Sequence, residues 1–329
     1  MNKHVILYKK LSAPLMERLQ AQAEVTLIED PKTPDGLARL RDALPHADGL
    51  LGASLKLDAQ LLDLAPRLKV VSSVSVGVDN YDIDYLTGRG ILLSNTPDVL
   101  TETTADTGFA LIMATARRVV ELASMVRDGQ WTQNIGPAHF GTDVHGKKLG
   151  IIGMGRIGEA VAQRGHFGFG MPVLYHSHSR KPAVEARFDA QYRSLDALLQ
   201  EADFVCLTLP LTAETEGLIG AEQFALMRPE TIFINIARGK VVDEQAMIEA
   251  LKNRQIRAAG LDVFEREPLP ADSALLQLDN VVATPHMGSA THETREAMAR
   301  CAVDNLLSAL AGERPKDLVN EKAWSSRQA

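Results

Sequence analysis

The sequence predicts an α/β protein made of two Rossmann-like, doubly wound parallel-sheet domains with a cleft between them. Three observations predict it. Short apolar runs alternate with helix-like stretches along the chain, as in parallel α/β structure. The later runs are rich in Val, Ile and Leu with little alternation, as expected of strands buried on both faces. The length of 329 residues suits two domains of roughly 100–200 residues.

The first series of strands is HVILY (4–8), VTLI (25–28), GLLG (49–52) and KVVSS (69–73). A long helical segment over 101–127 then breaks the pattern. It carries Phe109, Leu111, Ile112, Met113, Val119 and Val120, with Thr101 or Thr103 placed to cap it and Asp106 in its first turn. The second series is KLGIIG (148–153), a helix over 156–166, VLYH (173–176), DFVCLTL (203–209), TIFINI (231–236), AAGLDV (258–263) and NVVATP (280–285). A last helix over 290–311 ends near Gly312 and is expected to return to the first domain. The polar residues from Glu321 onward read as loose.

Composition narrows the function. Apolar residues make up 45% and charged residues 23%, ordinary for a globular protein. The net charge of -7 argues against a general nucleic-acid-binding surface. No run reaches the roughly 18 apolar residues of a membrane span, and the N-terminus lacks the pattern of a secretory signal. A cytoplasmic protein is expected. Cys206 and Cys301 lie far apart without metal-ligand spacing and read as reduced, buried thiols; no metal is expected.

The strongest motif is GMGRIG, with Gly153, Gly155 and Gly158 in the G-x-G-x-x-G pattern. It follows a predicted strand and opens a predicted helix, the setting that gives the pattern meaning. Gly153 permits the tight turn, Gly155 a close backbone approach to a pyrophosphate, and Gly158 tight helix–strand packing. Met154, Arg156 and Ile157 complete the loop and helix start, whose unpaired N–H groups suit phosphate. The next strand ends His176-Ser177-His178-Ser179-Arg180. A fold that prefers NAD places an Asp or Glu here for the ribose 2′-OH, but no carboxylate appears until Glu185. Ser177, His178, Ser179 and Arg180 suit a 2′-phosphate instead, so NADP(H) is expected, with NAD(H) as the weaker alternative.

Three further segments lie at or just after predicted strand ends, where open α/β sheets bind ligands. They are NIARGKVVDE (235–244), GLDVFEREP (260–268) and TPHMGSATHE (284–293). Arg238 can grip a carboxylate with two parallel N–H bonds. His286 can donate a proton near neutral pH. Glu267, bonded to the other ring nitrogen, would favour the imidazolium. Singly, each reads more readily as something else: Arg238 as a surface arginine, Glu267 as a solvated loop residue and His286 as a structural histidine. Together, beside a dinucleotide fingerprint, they form the set that hydride reduction of a 2-keto acid requires. Ser54, Leu55 and Lys56 are candidates to line the substrate pocket, though an ordinary strand-to-helix loop explains them equally well.

At these motifs the chain resembles the D-isomer-specific 2-hydroxyacid dehydrogenase family over essentially its full length. Within the family it is similar to the branch of glyoxylate/hydroxypyruvate reductases and 2-ketogluconate reductases, supported by ETRE (293–296) and AVDNLL (302–307). The resemblance implies Arg238, Glu267 and His286 as the catalytic set. It implies that the backbone amides of Val76 and Gly77 help hold the substrate carboxylate, beside Arg238 and His286. It also implies cofactor contacts from Leu209, Pro210, Ile236, Ala237, Arg238, Asp262, His286 and Gly288. The implied plan is a flavodoxin-like substrate-binding domain, 1–98 plus 290–329, into which a dinucleotide-binding domain, 99–289, is inserted. A homodimer is implied, with the 101–145 region, including Trp131, in the interface. Glu267 stands where formate dehydrogenases of this superfamily carry Gln, and no C-terminal regulatory domain is expected. The alternative is a dinucleotide-sensing corepressor-like protein with little turnover, which would need a peptide-binding cleft and long tails.

Overall fold

Parallel strands joined by helical crossovers form two sheets, each within its own compact unit. One unit runs to Leu100 and resumes at Thr291; the other comprises Thr101–Ala290. The computed structural model describes residues 3–328.

The first unit contains β1 (Lys3–Leu7), α1 (Ala13–Gln20), β2 (Ala23–Leu27), α2 (Pro34–Ala43), β3 (Gly49–Gly52), α3 (Ala59–Asp63), β4 (Val70–Ser73), α4 (Ile83–Gly88) and β5 (Leu92–Ser94). All five strands are parallel, in the order β2-β1-β3-β4-β5. This is the flavodoxin-like order. Sequence reasoning missed the three-residue β5. Short side-chain caps start the helices: Thr33, Asp58 and Asp82 each accept a first-turn N–H. Leu55 is buried in the core of this unit, which removes it as a pocket-lining side chain. Ser54 and Lys56 on either side are exposed.

The second unit begins with α5 (Thr101–Ala116) and α6 (Val119–Arg127). The expected single helix over 101–127 is therefore two. The segment at residues 141–142 packs on the end of α5, where the Thr142 N–H takes the Ala116 carbonyl that a continuing helix would use. Arg118 then turns into the left-handed region at φ 55°. The first-turn acid of α5 is Glu102; Asp106, one turn on, pairs with Arg164 at 2.6 Å.

The rest of the unit is β6 (Leu149–Ile152), α7 (Arg156–Gln163), β7 (Val173–His176), α8 (Pro182–Phe188), β8 (Gln191–Tyr192), α9 (Leu195–Glu201), β9 (Phe204–Leu207), α10 (Ala221–Leu226), β10 (Ile232–Asn235), α11 (Glu244–Lys252), β11 (Ala258–Leu261) and β12 (Val281–Ala283). α7 stops three residues short of expectation and passes into a π-helical turn at Arg164–Gly168. The seven parallel strands run β12-β11-β10-β9-β6-β7-β8. Every residue of β6, β9, β10 and β11 is buried, which explains their near-continuous apolar sequences. Cys206 sits in β9, fully buried, and burial pushes its thiol up to about 12.

Beyond Thr291 the chain belongs to the first unit again, as α12 (His292–Ala311) and α13 (Glu321–Gln328). α12 packs on β3, β4 and β5 and ends at Gly312 in the left-handed region, as Gly at a helix end does. Cys301 on α12 is only half-buried, contrary to expectation. Burial and then the bond to Asp317 still raise its thiol to about 12, so neither cysteine is a ready nucleophile. The residues from Glu321 are not loose. Ala323 is fully buried, Asn320 bonds Leu93 N and Ile91 O, and Arg327 bonds the Lys69 and Gly90 carbonyls. Their polar sequence hid a helix tied down by one buried alanine and by hydrogen bonds from Arg327. Among the described residues, no helix is long and apolar enough to cross a membrane.

Candidate active site

In the second sheet, β6 leads to β7 on one side and has β9 on the other. The order reverses between β6 and β9, and ligands bind outside strand ends at such a point. The G-x-G-x-x-G turn sits there. Gly153 has φ 101°, and a Cβ on it would meet Leu209 N at 2.6 Å. Only glycine satisfies both demands. The turn is fixed by Gly153 N to His176 O and by the Thr208 hydroxyl to Gly153 O, 2.6 Å. A Cβ on Gly158 would strike Gly153 O, whereas one on Gly155 would meet nothing within 4 Å. The turn therefore leaves room at Gly155, with the N-terminus of α7 behind it, and fits a dinucleotide pyrophosphate.

Burial divides the other expected cofactor residues. The side chains of Met154, Ile236 and Ala237 are buried in the hydrophobic core, so only their backbones remain to meet a ligand. Arg156, His178, Ser179, Arg180 and Pro210 are exposed, and Ile157, Ser177 and Leu209 are half-buried.

Three loops at the carboxyl ends of β10, β11 and β12 bring Arg238, Glu267 and His286 together. Buried Asn235 closes the first loop, accepting from Ala237 N at 2.9 Å and donating to Arg238 O at 3.1 Å. Arg238 Nη1 donates to Ala237 O at 2.8 Å. Gly239 then packs on the second loop, where a Cβ would lie 1.8 Å from the Phe264 carbonyl carbon. This contact ties the arginine loop to the glutamate loop. Glu267 Oε1 accepts from Phe264 N at 3.1 Å, and Oε2 bonds His286 Nδ1 at 2.7 Å. Burial raises the Glu267 pKa, but the bond and charge of His286, the Phe264 N–H and the Arg238 charge outweigh it and hold the carboxyl below its ordinary value.

His286 has φ 52°, an uncommon conformation for a residue with a side chain. Asp262, 2% exposed, holds the loop in it. One carboxylate oxygen accepts from Thr284 Oγ1 and Met287 N at 2.7 and 2.8 Å; the other accepts from Gly288 N at 2.8 Å. Asp262 was expected as a cofactor contact, and Thr284 was not singled out. Asn235, Thr284 and Gly239 were missed because their work is to hold backbone. The one available signal was a buried Asp inside an otherwise apolar strand end.

Beyond β7, Ser177 Oγ donates to Ser179 O at 2.7 Å. Arg180 lies 67% exposed and paired with Glu185. In the first unit, the Ser75, Val76 and Gly77 carbonyls accept from Thr96 N, Asn95 Nδ2 and Ser75 Oγ. In trans peptides the N–H opposes the C=O, so the Val76 and Gly77 N–H groups point away from Thr96 and Asn95.

A glycine turn at a strand-order reversal, with a carboxylate-bound histidine beyond another strand end of the same sheet, defines a dinucleotide-dependent oxidoreductase. The comparisons agree. Residues 109–288 match the family described as D-isomer specific 2-hydroxyacid dehydrogenase, NAD binding domain. The chain is 58% identical over 320 residues to glyoxylate/hydroxypyruvate reductase B of Escherichia fergusonii, covering 97% of this chain and 98% of that one. The enzyme of the same name from Klebsiella pneumoniae subsp. pneumoniae is also 58% identical, covering 97% and 99%. The crystal structure of the NADPH-dependent glyoxylate/hydroxypyruvate reductase of Sinorhizobium meliloti, in complex with NADP and malonate, is similar with TM-score 0.86 and 32% identity, covering 98% of each chain. The chain belongs to the D-isomer specific 2-hydroxyacid dehydrogenase family.

Proposed function

We propose that this chain catalyses NADPH-dependent reduction of a short 2-keto acid to the D-2-hydroxy acid. Glyoxylate and hydroxypyruvate come first, on the names of relatives 58% identical over nearly the whole chain; 2-keto-D-gluconate is a larger third choice. The observation that carries the reading is the 2.7 Å bond between His286 Nδ1 and Glu267, beside Arg238. With Nδ1 held by the carboxylate, Nε2 is the atom left to serve the substrate. Arg238 binds the substrate carboxylate. The cofactor, when bound, supplies a hydride to substrate C2. His286 Nε2 gives its proton to the carbonyl oxygen, and Glu267 compensates the imidazolium charge before transfer. The Gly153–Gly158 turn holds the pyrophosphate. Residues 177–180, free of carboxylates, and the NADP named with the Sinorhizobium meliloti enzyme support NADPH over NADH.

The same reading makes the first unit the substrate-binding domain and the enzyme a homodimer. α6 buries none of its residues, and Val119, Val120, Val126, Trp131, Ile135 and Phe140 are exposed. Most of α5 is internal to its unit, so the expected 101–145 interface narrows to 119–140. Light scattering at a mass of one chain would remove the dimer.

Steady-state assays with NADPH and NADH, offering each of the three keto acids, test the function. High kcat/KM with NADPH and at least one keto acid is expected. A clear NADH preference would keep the reaction and overturn the 177–180 assignment. Absence of turnover with every pair would overturn the reaction.

A further inference from the structure

We propose that Glu185 is a specificity-determining positioning residue, which with the Tyr175 hydroxyl holds the Arg180 guanidinium in the orientation that receives the 2′-phosphate of NADPH. The proposal rests on the reading of residues 177–180 as the 2′-phosphate loop.

Arg180 is an unpromising phosphate ligand by itself. It is a long, exposed side chain on a loop, and its rotamer freedom is lost on binding. The structure removes much of that freedom beforehand. Glu185, on the first turn of α8, takes Arg180 Nε at 3.0 Å on one oxygen and Nη2 at 2.6 Å on the other. This is a side-on, two-point grip. Of the five guanidinium N–H groups, both on Nη1 and one on Nη2 stay outside the grip. They form the end-on edge that suits a second oxyanion.

Glu185 is itself held. The Tyr175 hydroxyl donates to its Oε1 at 2.6 Å and accepts from Lys181 N at 2.7 Å. The Tyr175 ring is fully buried in β7 and packs edge-on against Tyr192 with centroids 5.4 Å apart. One rigid hydroxyl thus anchors both the carboxylate and the far end of the 177–181 loop. The Arg180 and Tyr175 bonds keep Glu185 ionised by lowering its pKa. A carboxylate near a phosphate also repels it. The Glu185 charge is already paired with the guanidinium it grips, so the phosphate meets an ion pair rather than a lone carboxylate, and positioning dominates.

The test is isothermal titration of 2′,5′-ADP and of ADP, with the NADPH-to-NADH ratio of kcat/KM, on the full chain. Glu185→Ala is expected to weaken 2′,5′-ADP binding relative to ADP, and to lower the kinetic ratio, each by about tenfold, the scale of one charge-assisted contact. Glu185→Gln, which keeps one acceptor for Arg180, should lose less. Tyr175→Phe keeps the ring in place and should shift both readouts in the same direction as Glu185→Ala. It carries the test if the alanine variant does not fold. Arg180→Ala should collapse the preference. If Arg180→Ala does so while Glu185→Ala and Tyr175→Phe leave it unchanged or raise it, the proposal is overturned and the loop reading stands. If Arg180→Ala changes nothing, the loop reading falls and the proposal with it.

Discussion

The loop after β12 and the loop after β7 both follow parallel strands of one sheet, yet they are built in opposite ways. The first holds His286 in a left-handed conformation through three hydrogen bonds to the carboxylate of Asp262, which is 2% exposed. The second presents Ser179 and Arg180 to solvent and is anchored by one tyrosine hydroxyl at its far end. Proton transfer depends steeply on position, and a 1 Å misplacement can cost about 10²-fold in rate. Recognition of a phosphate dianion by a long cation tolerates more movement. A buried anchor suits the proposed proton transfer, and an exposed, pre-aimed side chain suits the proposed choice of cofactor.

Removing the proposed proton donor is the most severe way to break this contrast. His286→Ala should lower kcat about 10³-fold, within the usual range for a general acid. NADPH affinity, followed by fluorescence titration, should change little, because the loop after β7 is untouched. Turnover within a few-fold of wild type would exclude His286 as the main acid.

The next effect isolates the anchor from the acid. Asp262→Asn keeps the size of the side chain but replaces an acceptor oxygen with a donor facing backbone N–H groups. Reductive kcat should fall about 10²-fold through displacement of His286, and the amide hydrogens of Met287 and Gly288 should exchange faster. Loss of activity with exchange unchanged would move Asp262 from positioning to direct contact with cofactor or substrate.

Much of both regions was legible in the sequence. Apolar runs marked ten of the twelve strands because buried parallel strands must be apolar on both faces. The three-residue β5 and two-residue β8 were too short to leave such a run. The placing of Arg238, Glu267 and His286 beyond strand ends was legible because the apolar runs before them mark where those strands stop. The break after Ala116 was hidden, since the segment that causes it lies over twenty residues later, at Thr142. The grip of Glu185 on Arg180 was hidden for a related reason. From the sequence, Glu185 is only the first carboxylate after the loop; its partnership with the Tyr175 hydroxyl appears once α8 folds beside β7.

A smaller effect probes how firmly the arginine and glutamate loops are joined. Gly239→Ala forces a Cβ onto the Phe264 backbone at 1.8 Å, so one loop must move. Overpacking of this kind costs about 1–3 kcal/mol, which thermal unfolding can read, and kcat/KM for the keto acid should fall about tenfold. A variant with wild-type stability and kinetics would show that the contact is not needed to hold Arg238.

The smallest expected effect lies on the acid side of the pH profile. The folded-state pKa of Glu267 is depressed, as burial is outweighed by His286, the Phe264 N–H and Arg238. A carboxylate of this kind contributes its stabilisation above its unfolded pKa of about 4.3 and loses it only as pH falls through the lower folded value. Nothing therefore changes at Glu267 between about pH 7 and 5, a window above both values. Glu267 should therefore add no acid limb to reductive kcat/KM across that window. Glu267→Gln should lower the plateau without adding an acid limb, because the amide does not titrate. An acid limb centred above about pH 5 in the wild type, absent from Glu267→Gln, would mean that Glu267 takes up its proton at or above the ordinary carboxylate range. The loop after β11, which sets Glu267 against His286, would then hold less charge than its bonds imply.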